Sequence, residues 1–329
     1  MQRPAHSIEI GVLEYPGAQA AAALGLIDLL VTAERVAAEG GARASSIAPQ
    51  LVRVDAKSGR PPKPSAPLSV VILPPSLGDA TALTRLDPLA SWLADRHREG
   101  TILASVCAGA FLLGSTGLLA GRPATTHWAL GASFSALFPD VLLDTARLVI
   151  DDGDVVTAGG VMAWIDVGLL FVARHLGPSV VSATARRWLI DPGGREQRHY
   201  GSFTPVFTHG DDAVLRSQRL LHAKRDQKIE VAAMAKAARL TERTFLRRFT
   251  RATGHTPVEY LQLLRVERAR EWLEQSAQSF DEIAWKLGYA DAGAFRRIFQ
   301  RAIGLSPSEY RRRFRVAMPR RRARRGARP

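Results

Sequence analysis

The chain has 329 residues, 46% of them apolar and 23% charged, which is typical of globular proteins with room for two domains, and its single cysteine excludes an intrachain disulfide. The net charge of +14 lies in the C-terminal part, because residues 1–187 hold 15 Lys and Arg against 16 Asp and Glu, whereas residues 188–329 hold 30 against 15. Only the C-terminal part therefore carries the excess positive charge that attracts a polyanion such as a nucleic acid.

In chain order, the front half alternates strand-like and helix-like segments. Buried strands are predicted from "IEIGVLEY", "SVVILPP" and "TILASV", and helices from "AAAALGLIDLLVTAERVAAEGG" and "LDPLASWLADRHREG". Two short strands around an Asp-Gly turn are predicted from "RLVIDDGDVVTAGG", and a buried helix that ends at Gly177 from "MAWIDVGLLFVARHLG". This alternation indicates an α/β domain over residues 1–190, with a largely parallel sheet and helices on both faces.

The uncharged run at residues 101–121 is long enough to span a bilayer. Its four glycines and its Ser and Thr residues favour a strand, a tight bend and a helix instead. We therefore expect no membrane partner.

The back half contains an internal repeat. Residues 191–212 are rich in Pro, Gly and polar residues and predict a linker. Residues 213–317 predict an all-α domain in which "FLRRFTRATGHTPVEY" aligns with "FRRIFQRAIGLSPSEY" at an offset of 50 residues. In each copy a short helix and a tight turn precede a second helix, which is the arrangement of a helix-turn-helix unit. Residues 318–329 hold six arginines and predict a basic disordered tail that binds phosphates, or low complexity without a role.

The second helix of each copy carries the residues expected to contact DNA. Phe245 and Phe249 are four residues apart, as are Phe295 and Phe299, and each pair predicts a buried anchor. The opposite faces present arginines that can pair with guanine edges and a leucine that can contact a thymine methyl. The two helices are expected to enter successive major-groove segments about 34 Å apart, although ordinary amphipathic helices with solvated arginines are an alternative. With two predicted N-caps included, the candidate DNA-binding residues are Thr241, Arg243, Leu246, Arg247, Arg248, Asp291, Arg296 and Arg297.

Residues 219–315 resemble the AraC/XylS-type DNA-binding domain, most specifically in "RTFLRRF", "TGHTPVEYLQLLRVERA" and "DEIAWKLGYADAGAFRRIFQRAIGLSPSEYRRRF". The resemblance implies sequence-specific binding to double-stranded promoter DNA. One departure is Arg239 in the first turn, where the family usually has the glycine that Gly288 provides in the second. A left-handed conformation at Arg239 would introduce strain of about 1 kcal/mol, so the geometry of the first turn stays open.

The stretch "SVCAGAFLLGSTGLLAGRPATTHW" places Cys107 between a predicted strand and a predicted helix, with His127 twenty residues later. Three roles are open for Cys107. It can be a nucleophile at a sharp elbow, whose pKa a helix N-terminus would lower, or a wall of a ligand pocket, or a small apolar core residue.

Residues 7–190 resemble the PfpI-type branch of the class I glutamine amidotransferase-like superfamily, specifically the front domain of GlxA-like transcriptional regulators. The matching segments are "YPGAQAAAALGLIDLL", the Cys107 stretch and "VVTAGGVMAWIDVGLLFVARHLG". The resemblance implies a flavodoxin-like sheet, with Cys107 at the nucleophile position and His127 at its partner position. Two departures argue against catalysis. The early-helix segment that carries a carboxylate in enzymatic members is "QAAAA" from Gln19, and Ala129 stands where amidotransferases have Glu, although Asp166 could supply a carboxylate from elsewhere.

Together these features predict a transcription regulator, not an enzyme, with Cys107 and His127 as vestigial catalytic residues. Its effector is expected to be a small, nitrogen-containing metabolite, as the resemblance implies. We expect a cytoplasmic, nucleoid-associated homodimer that uses no metal or other cofactor and that contacts RNA polymerase if it is an activator. The alternatives are a cysteine-dependent hydrolase or amidotransferase tethered to DNA, and a non-specific nucleoid binder. The predicted effector pocket consists of Cys107, Ala108, Gly109, His127 and Trp128.

Overall fold

A computed structural model describes residues 6–40, 45–55, 57–62, 66–193 and 195–315. The chain divides into two compact units, Met1–Arg198 and His199–Pro329, and the division falls inside the predicted linker of residues 191–212. The predicted basic tail, residues 318–329, lies outside the described residues.

The N-terminal unit is built on a mostly parallel sheet. Its described part contains eight strands: β1 (His6–Glu14), β2 (Ser45–Arg53), β3 (Val70–Leu73), β4 (Ile102–Val106), β5 (Pro123–Ala124), β6 (Leu142–Leu143), β7 (Val149–Asp151) and β8 (Val155–Ala158). Six of them form one sheet in the order β2-β1-β3-β4-β8-β7, in which only β7 and β8 pair antiparallel. The first five strands of this order follow the flavodoxin-like arrangement, so the predicted fold class is confirmed.

Two groups of helices cover this sheet. All residues of β3 and β8 are buried, as expected for central strands that are covered on both faces. In one group α1 packs against both α5 and α6, and in the other α2 packs against α3. The predicted strand pair around the Asp-Gly turn is the antiparallel pair of β7 and β8. The helices are α1 (Ala20–Glu39), α2 (Asp87–Arg98), α3 (Gly109–Ser115), α4 (Gly131–Leu137), α5 (Trp164–Leu176) and α6 (Pro178–Trp188).

The described part of the C-terminal unit is all helical and has two hydrophobic cores. One core surrounds Phe245, Phe249 and Tyr260, and the other surrounds Phe299 and Tyr310. The long helix α10 joins them, because its first half packs in the first core and its second half in the second. The predicted tandem helix-turn-helix architecture is confirmed. The helices are α7 (Asp212–Ala223), α8 (Val231–Ala238), α9 (Glu242–Thr253), α10 (Pro257–Gln275), α11 (Phe280–Lys286), α12 (Ala292–Ile303) and α13 (Pro307–Phe314).

None of the helices in the described ranges combines the length and the apolarity needed to cross a membrane. The uncharged run at residues 101–121 contains β4 and α3, with the bend between them that its glycines predicted.

Candidate functional site

The helices α9 and α12 begin at the predicted caps. The Oγ1 of Thr241 accepts a hydrogen bond from the Thr244 N–H at 3.4 Å. The carboxylate of Asp291 accepts one from the Gly293 N–H at 2.7 Å. Each bond satisfies a backbone donor that the helix itself leaves free, so the start of each helix is fixed by its own sequence.

One face of each helix is anchored in a core. Phe245, Phe249, Phe295 and Phe299 are all 0% exposed, which confirms the predicted anchors. Tyr260 packs on Phe249 with ring centroids 5.3 Å apart, and Tyr310 packs on Phe299 at 5.6 Å. These repeated contacts hold α9 and α12 in equivalent positions within their own halves of the unit.

The opposite faces are open to solvent at matching positions of the repeat. In α9 the side chains of Arg243, Leu246 and Arg247 are exposed, with Leu246 at 40%. In α12 the exposed pair is Arg296 and Arg297. Exposed arginines above a buried phenylalanine pair are what the sequence led us to expect of a DNA-reading helix.

The ion pairs of these arginines are weak. Arg247 has no ion pair among the residues that the structure describes. Arg297 lies 3.9 Å from the Asp291 carboxylate, and Arg296 donates to Asp281 at 3.0 Å, but all four side chains are more than half exposed. Exposed pairs of this kind contribute about 1 kcal/mol or less, so a phosphate or a base could replace either aspartate.

Arg248 differs from its neighbours. Its guanidinium donates to both carboxylate oxygens of Asp211, at 2.7 and 2.8 Å, and the Asp211 carboxylate also caps α7. The pair lowers the pKa of Asp211, chiefly through the Arg248 hydrogen bond. The equivalent position in α12 is Ile298, and both residues are half-buried. Arg248 therefore connects α9 to the start of α7 in this conformation.

The two turns have the same geometry despite their different residues. Arg239 adopts φ 58° and ψ 43°, and Gly288 adopts φ 79°, so both are left-handed. After each residue the next N–H donates back into the preceding helix, Leu240 to the Ala235 carbonyl at 3.1 Å and Tyr289 to the Ala284 carbonyl at 3.0 Å. The arginine thus occupies a conformation that normally favours glycine.

Cys107 lies at a sharp bend in the N-terminal unit. It follows β4 directly, precedes α3 by one residue and has φ 57°, a left-handed conformation that is strained for a non-glycine residue. Its N–H donates to the Ala158 carbonyl at 2.7 Å, which ties the bend to the end of β8. The structure therefore places Cys107 at an elbow between strand and helix, as the sequence indicated.

The thiol of Cys107 is protected rather than activated. Its residue is 3% exposed, and burial raises its pKa to about 11, although a hydrogen bond from the Ala108 backbone partly offsets this shift. The hydroxyl of buried Tyr15 donates to the Pro74 carbonyl, and burial together with the nearby Cys107 raises the pKa of Tyr15 as well. An ordinary catalytic thiol needs the opposite shift, because the thiolate is the nucleophile.

His127 lies in the segment that follows β5, and its ring is bound locally. Its Nδ1 accepts a hydrogen bond from the Ala129 N–H at 3.1 Å, and burial lowers its pKa. In a catalytic triad this nitrogen would instead donate to a carboxylate. The hydroxyl of Thr126, the residue before His127, donates to the Cys107 carbonyl at 2.8 Å. The elbow and the His127 segment are therefore in contact. Trp128 is half-buried, whereas Ala108 and Gly109 are buried at the start of α3.

The two residues that the sequence analysis considered as sources of a carboxylate for His127 make other contacts. Asp166 pairs with Arg195, whose Nε lies 3.3 Å from one carboxylate oxygen. Gln19 stands at the N-cap position of α1, but its side chain makes no capping bond. Its N–H donates to the Pro75 carbonyl at 2.7 Å, and its buried Oε1 has no hydrogen-bond partner in the described ranges. Within those ranges no group of three or more His, Cys, Asp and Glu residues is arranged to hold a metal ion.

Comparisons with known protein families match each unit separately. A model described as the DJ-1/PfpI family matches residues 27–174, and a model described as a helix-turn-helix domain matches residues 234–313. Each compact unit therefore contains a segment that is similar to a known family, the DJ-1/PfpI family in the first unit and a helix-turn-helix domain in the second. The elbow at Cys107 lies within residues 27–174, and both α9 and α12 lie within residues 234–313.

Several curated proteins are similar to the chain. The HTH-type transcriptional regulator GlxA of Rhizobium meliloti (strain 1021) is 28% identical over 220 residues, or 66% of this chain and 67% of that protein. The regulator GbdR of Pseudomonas aeruginosa (strain UCBPP-PA14) is 25% identical over 218 residues, or 66% of this chain and 59% of that protein. Isonitrile hydratase of Pseudomonas putida is 28% identical over 177 residues, or 52% of this chain and 73% of that protein. The chain thus spans about two thirds or less of the length of these regulators.

One residue of the DJ-1/PfpI unit was not predicted from the sequence. Gln197 is 2% exposed, although it comes from the segment that the sequence assigned to the linker. Its Oε1 accepts from the Trp128 N–H at 3.0 Å, and its Nε2 lies 2.9 Å from the carbonyls of Thr126 and Arg147. A glutamine in a polar linker gives no sequence signal for such burial, because its partners lie 50 residues or more away in the chain.

Proposed function

We propose that the chain is a sequence-specific transcription regulator whose helix-turn-helix domain binds promoter DNA and whose DJ-1/PfpI domain binds a small metabolite. The observation that supports DNA binding most directly is the matched pair of helices α9 and α12. Each is anchored by two buried phenylalanines and presents an exposed arginine at one shared position, Arg247 in α9 and Arg297 in α12, with a further exposed arginine at a position of its own. The similarity to HTH-type transcriptional regulators supports the same conclusion.

The arginines divide into two roles under this proposal. Arg247 and Arg297 read base edges, since both are exposed and neither has a strong partner in the structure. Arg243 and Arg296 contact bases or phosphates beside them, and Leu246 contacts a thymine methyl. Arg248 contributes only if its pair with Asp211 gives way. Thr241 and Asp291, the N-caps, set where each helix begins against the DNA backbone.

The pocket for the metabolite is proposed beside Cys107, with Ala108, Gly109, His127 and Trp128 as its other members. The high pKa of the buried thiol and the local hydrogen bond of His127 favour binding over turnover. A bound metabolite changes DNA binding only if it binds two arrangements of the protein with different affinity. The predicted nitrogen-containing effector, the homodimer and a contact with RNA polymerase belong to this proposal. A regulator of promoters would act in the cytoplasm, at the nucleoid.

The test uses the full chain. Selection from random duplexes gives the preferred site, and fluorescence anisotropy then compares the protein with its Arg247→Ala/Arg297→Ala double variant. We expect the double variant to lose most of its preference for the selected site over a random duplex, because base contacts carry about 1 to 3 kcal/mol of discrimination each. The control is Arg53→Ala/Arg187→Ala, which removes two exposed positive charges from the DJ-1/PfpI unit. Equal preference in both double variants would refute the assignment of the two helices.

A cysteine-dependent hydrolase is the second candidate function, and the strained elbow at Cys107 is the observation that favours it. The similarity to isonitrile hydratase covers 52% of the chain. Turnover of nitrile, isonitrile or amide substrates that is abolished in Cys107→Ser would establish this function. We expect no turnover above the level of the Cys107→Ser protein.

A further inference from the structure

The side chain of Gln197 fixes the backbone on both sides of His127. Its Oε1 accepts from the N–H of Trp128, the residue after His127, at 3.0 Å. Its Nε2 lies 2.9 Å from the carbonyl of Thr126, the residue before His127. The same amide group also reaches the Thr125 hydroxyl at 3.1 Å, so its two N–H groups serve three acceptors.

Thr126 links the hydrogen bonds of Gln197 to Cys107. The hydroxyl of Thr126 donates to the Cys107 carbonyl at 2.8 Å, and both Thr125 and Thr126 are 0% exposed. A buried network of this kind is costly to leave partly satisfied, since removal of one member strands the donors and acceptors that it served. The position of the His127 segment against the Cys107 elbow therefore depends on Gln197.

The side chain of Gln197 occupies space that is open only because residue 159 is glycine. A Cβ atom at residue 159 would lie 1.8 Å from the Gln197 Nε2. Such an approach is impossible for a real side chain, so alanine at residue 159 and the observed position of Gln197 exclude each other. Gly159 follows β8 directly, and its N–H donates to the Leu148 carbonyl at 2.8 Å.

Gln197 reaches this place from the segment that leads toward the helix-turn-helix domain. Two residues before it, Arg195 pairs with Asp166 and donates to the Met162 carbonyl at 3.3 Å. Two residues after it, His199 opens the C-terminal unit, where its Nδ1–H donates to the carbonyl of Ile303, the last residue of α12, at 2.7 Å. The segment is thus bound to the Cys107 region and, two residues later, to a DNA-reading helix.

We propose that Gln197 is a positioning residue of the pocket beside Cys107, and that docking of the linker completes this pocket. The proposal rests on the proposed function for the meaning of the pocket and names the element through which DNA binding is regulated. Release of Gln197 frees the backbone around His127 and opens the pocket. Binding of a ligand in the pocket then depends on the position of the linker. Because such coupling is reciprocal, DNA bound to α12 changes the accessibility of the Cys107 site.

Alkylation of Cys107 by iodoacetamide in the full chain tests this proposal, because it is the only cysteine. We expect Gln197→Met, which keeps the volume and removes the hydrogen bonds, to raise the alkylation rate at pH 8 by about tenfold or more. The pH profile should also shift, with the apparent pKa falling from about 11 toward the ordinary thiol value as water reaches Cys107. Gly159→Ala should give the same result by displacing Gln197.

The matched control is Gln218→Met. Gln218 is also fully buried, and its Nε2 donates to the Val206 carbonyl and the Tyr260 hydroxyl at 3.0 Å, but it lies in the C-terminal unit. We expect this variant to leave Cys107 alkylation unchanged. An unchanged rate and pH profile in both Gln197→Met and Gly159→Ala would overturn the proposal, as would an equal change in the control. If either single variant is too unstable for the alkylation assay, Gly159→Ala/Gln197→Ala should unfold at a higher temperature than Gly159→Ala, and a lower temperature would contradict the geometry.

The link to DNA is tested with the selected duplex as the probe. We expect the bound duplex to change the wild-type alkylation rate by about threefold or more, and the change to disappear in Gln197→Met. No effect of the duplex on wild-type protein would overturn the link. Failure to select any duplex would instead refute the proposed function, and the alkylation results without DNA would still decide the role of Gln197.

Discussion

The strain in the first turn of the helix-turn-helix domain can be tested by comparison with the second turn, which has glycine at the equivalent position. Arg239 is exposed and left-handed at φ 58°, so Arg239→Gly relieves backbone strain of about 1 kcal/mol without loss of packing. Glycine also loosens the unfolded chain, which costs about 0.4 to 1 kcal/mol and offsets much of this gain, and we expect a small net stabilisation of up to about 0.6 kcal/mol. Gly288→Ala should destabilise by about 1 kcal/mol or more, because residue 288 has φ 79°, a conformation that is strained for any residue with a Cβ.

Hydrogen exchange at increasing urea, read by mass spectrometry on peptides spanning 231–253 and 280–303, separates the two turns from the rest of the chain. We expect the unfolding midpoint of the first peptide to rise in Arg239→Gly and that of the second to fall in Gly288→Ala. The affinity for the selected duplex should stay within about twofold in Arg239→Gly, because Arg239 is assigned no DNA contact. A lower midpoint in Arg239→Gly would show that the left-handed turn is not strained there and would refute the reasoning.

Three further predictions follow from the two domains. Arg247→Ala alone should weaken binding to the selected duplex by about 1 to 3 kcal/mol and relax the preference at one base position, which anisotropy on single-base variants of the site measures; an equal loss on every duplex would contradict base reading. Phe299→Ala should destabilise the second half of the C-terminal unit by about 3 to 5 kcal/mol, because a fully buried ring is removed; urea unfolding with a shift under 1 kcal/mol would contradict its role as anchor. The pKa of Cys107 is raised from 9.0 to about 11 in the folded protein, so its neutral thiol stabilises the fold below pH 9, and this contribution is lost as the pH rises toward 11. Urea midpoints measured from pH 8 to 11 should therefore fall less steeply in Cys107→Ala than in wild type, and parallel curves would argue against the raised pKa.

The sequence predicted the central strands and the tandem helices but missed one edge of the sheet. The strands β1, β3, β4 and β8 were visible as apolar runs, since they lie inside the sheet. The edge strand β2 was missed because "SSIAPQLVR" contains Pro49 and only two of its residues are buried. An edge position tolerates proline and partial exposure, which removes the hydrophobic signal on which strand prediction depends. The helix α6 was also missed, since its short amphipathic stretch begins directly after Gly177.

In the candidate site, sequence patterns cannot distinguish residues of the same type that have different contacts in the folded protein. Arg247 and Arg248 are neighbours of one type, yet only the structure shows that Arg248 is bound to Asp211, 37 residues earlier in the chain. The Cys107 elbow was visible because small residues surround it locally. Gln197 was not, because its role depends on the space left by Gly159 and on backbone groups far away in sequence.

Guanine protection on the selected duplex tests the central claim most directly. With the full chain bound, dimethyl sulfate probing reports which guanine N7 atoms in the major groove are covered. We predict two protected clusters on one face of the duplex, about 10 base pairs apart, of which one is lost in Arg247→Ala and the other in Arg297→Ala. A single protected cluster, or two clusters that neither substitution affects, would contradict the account.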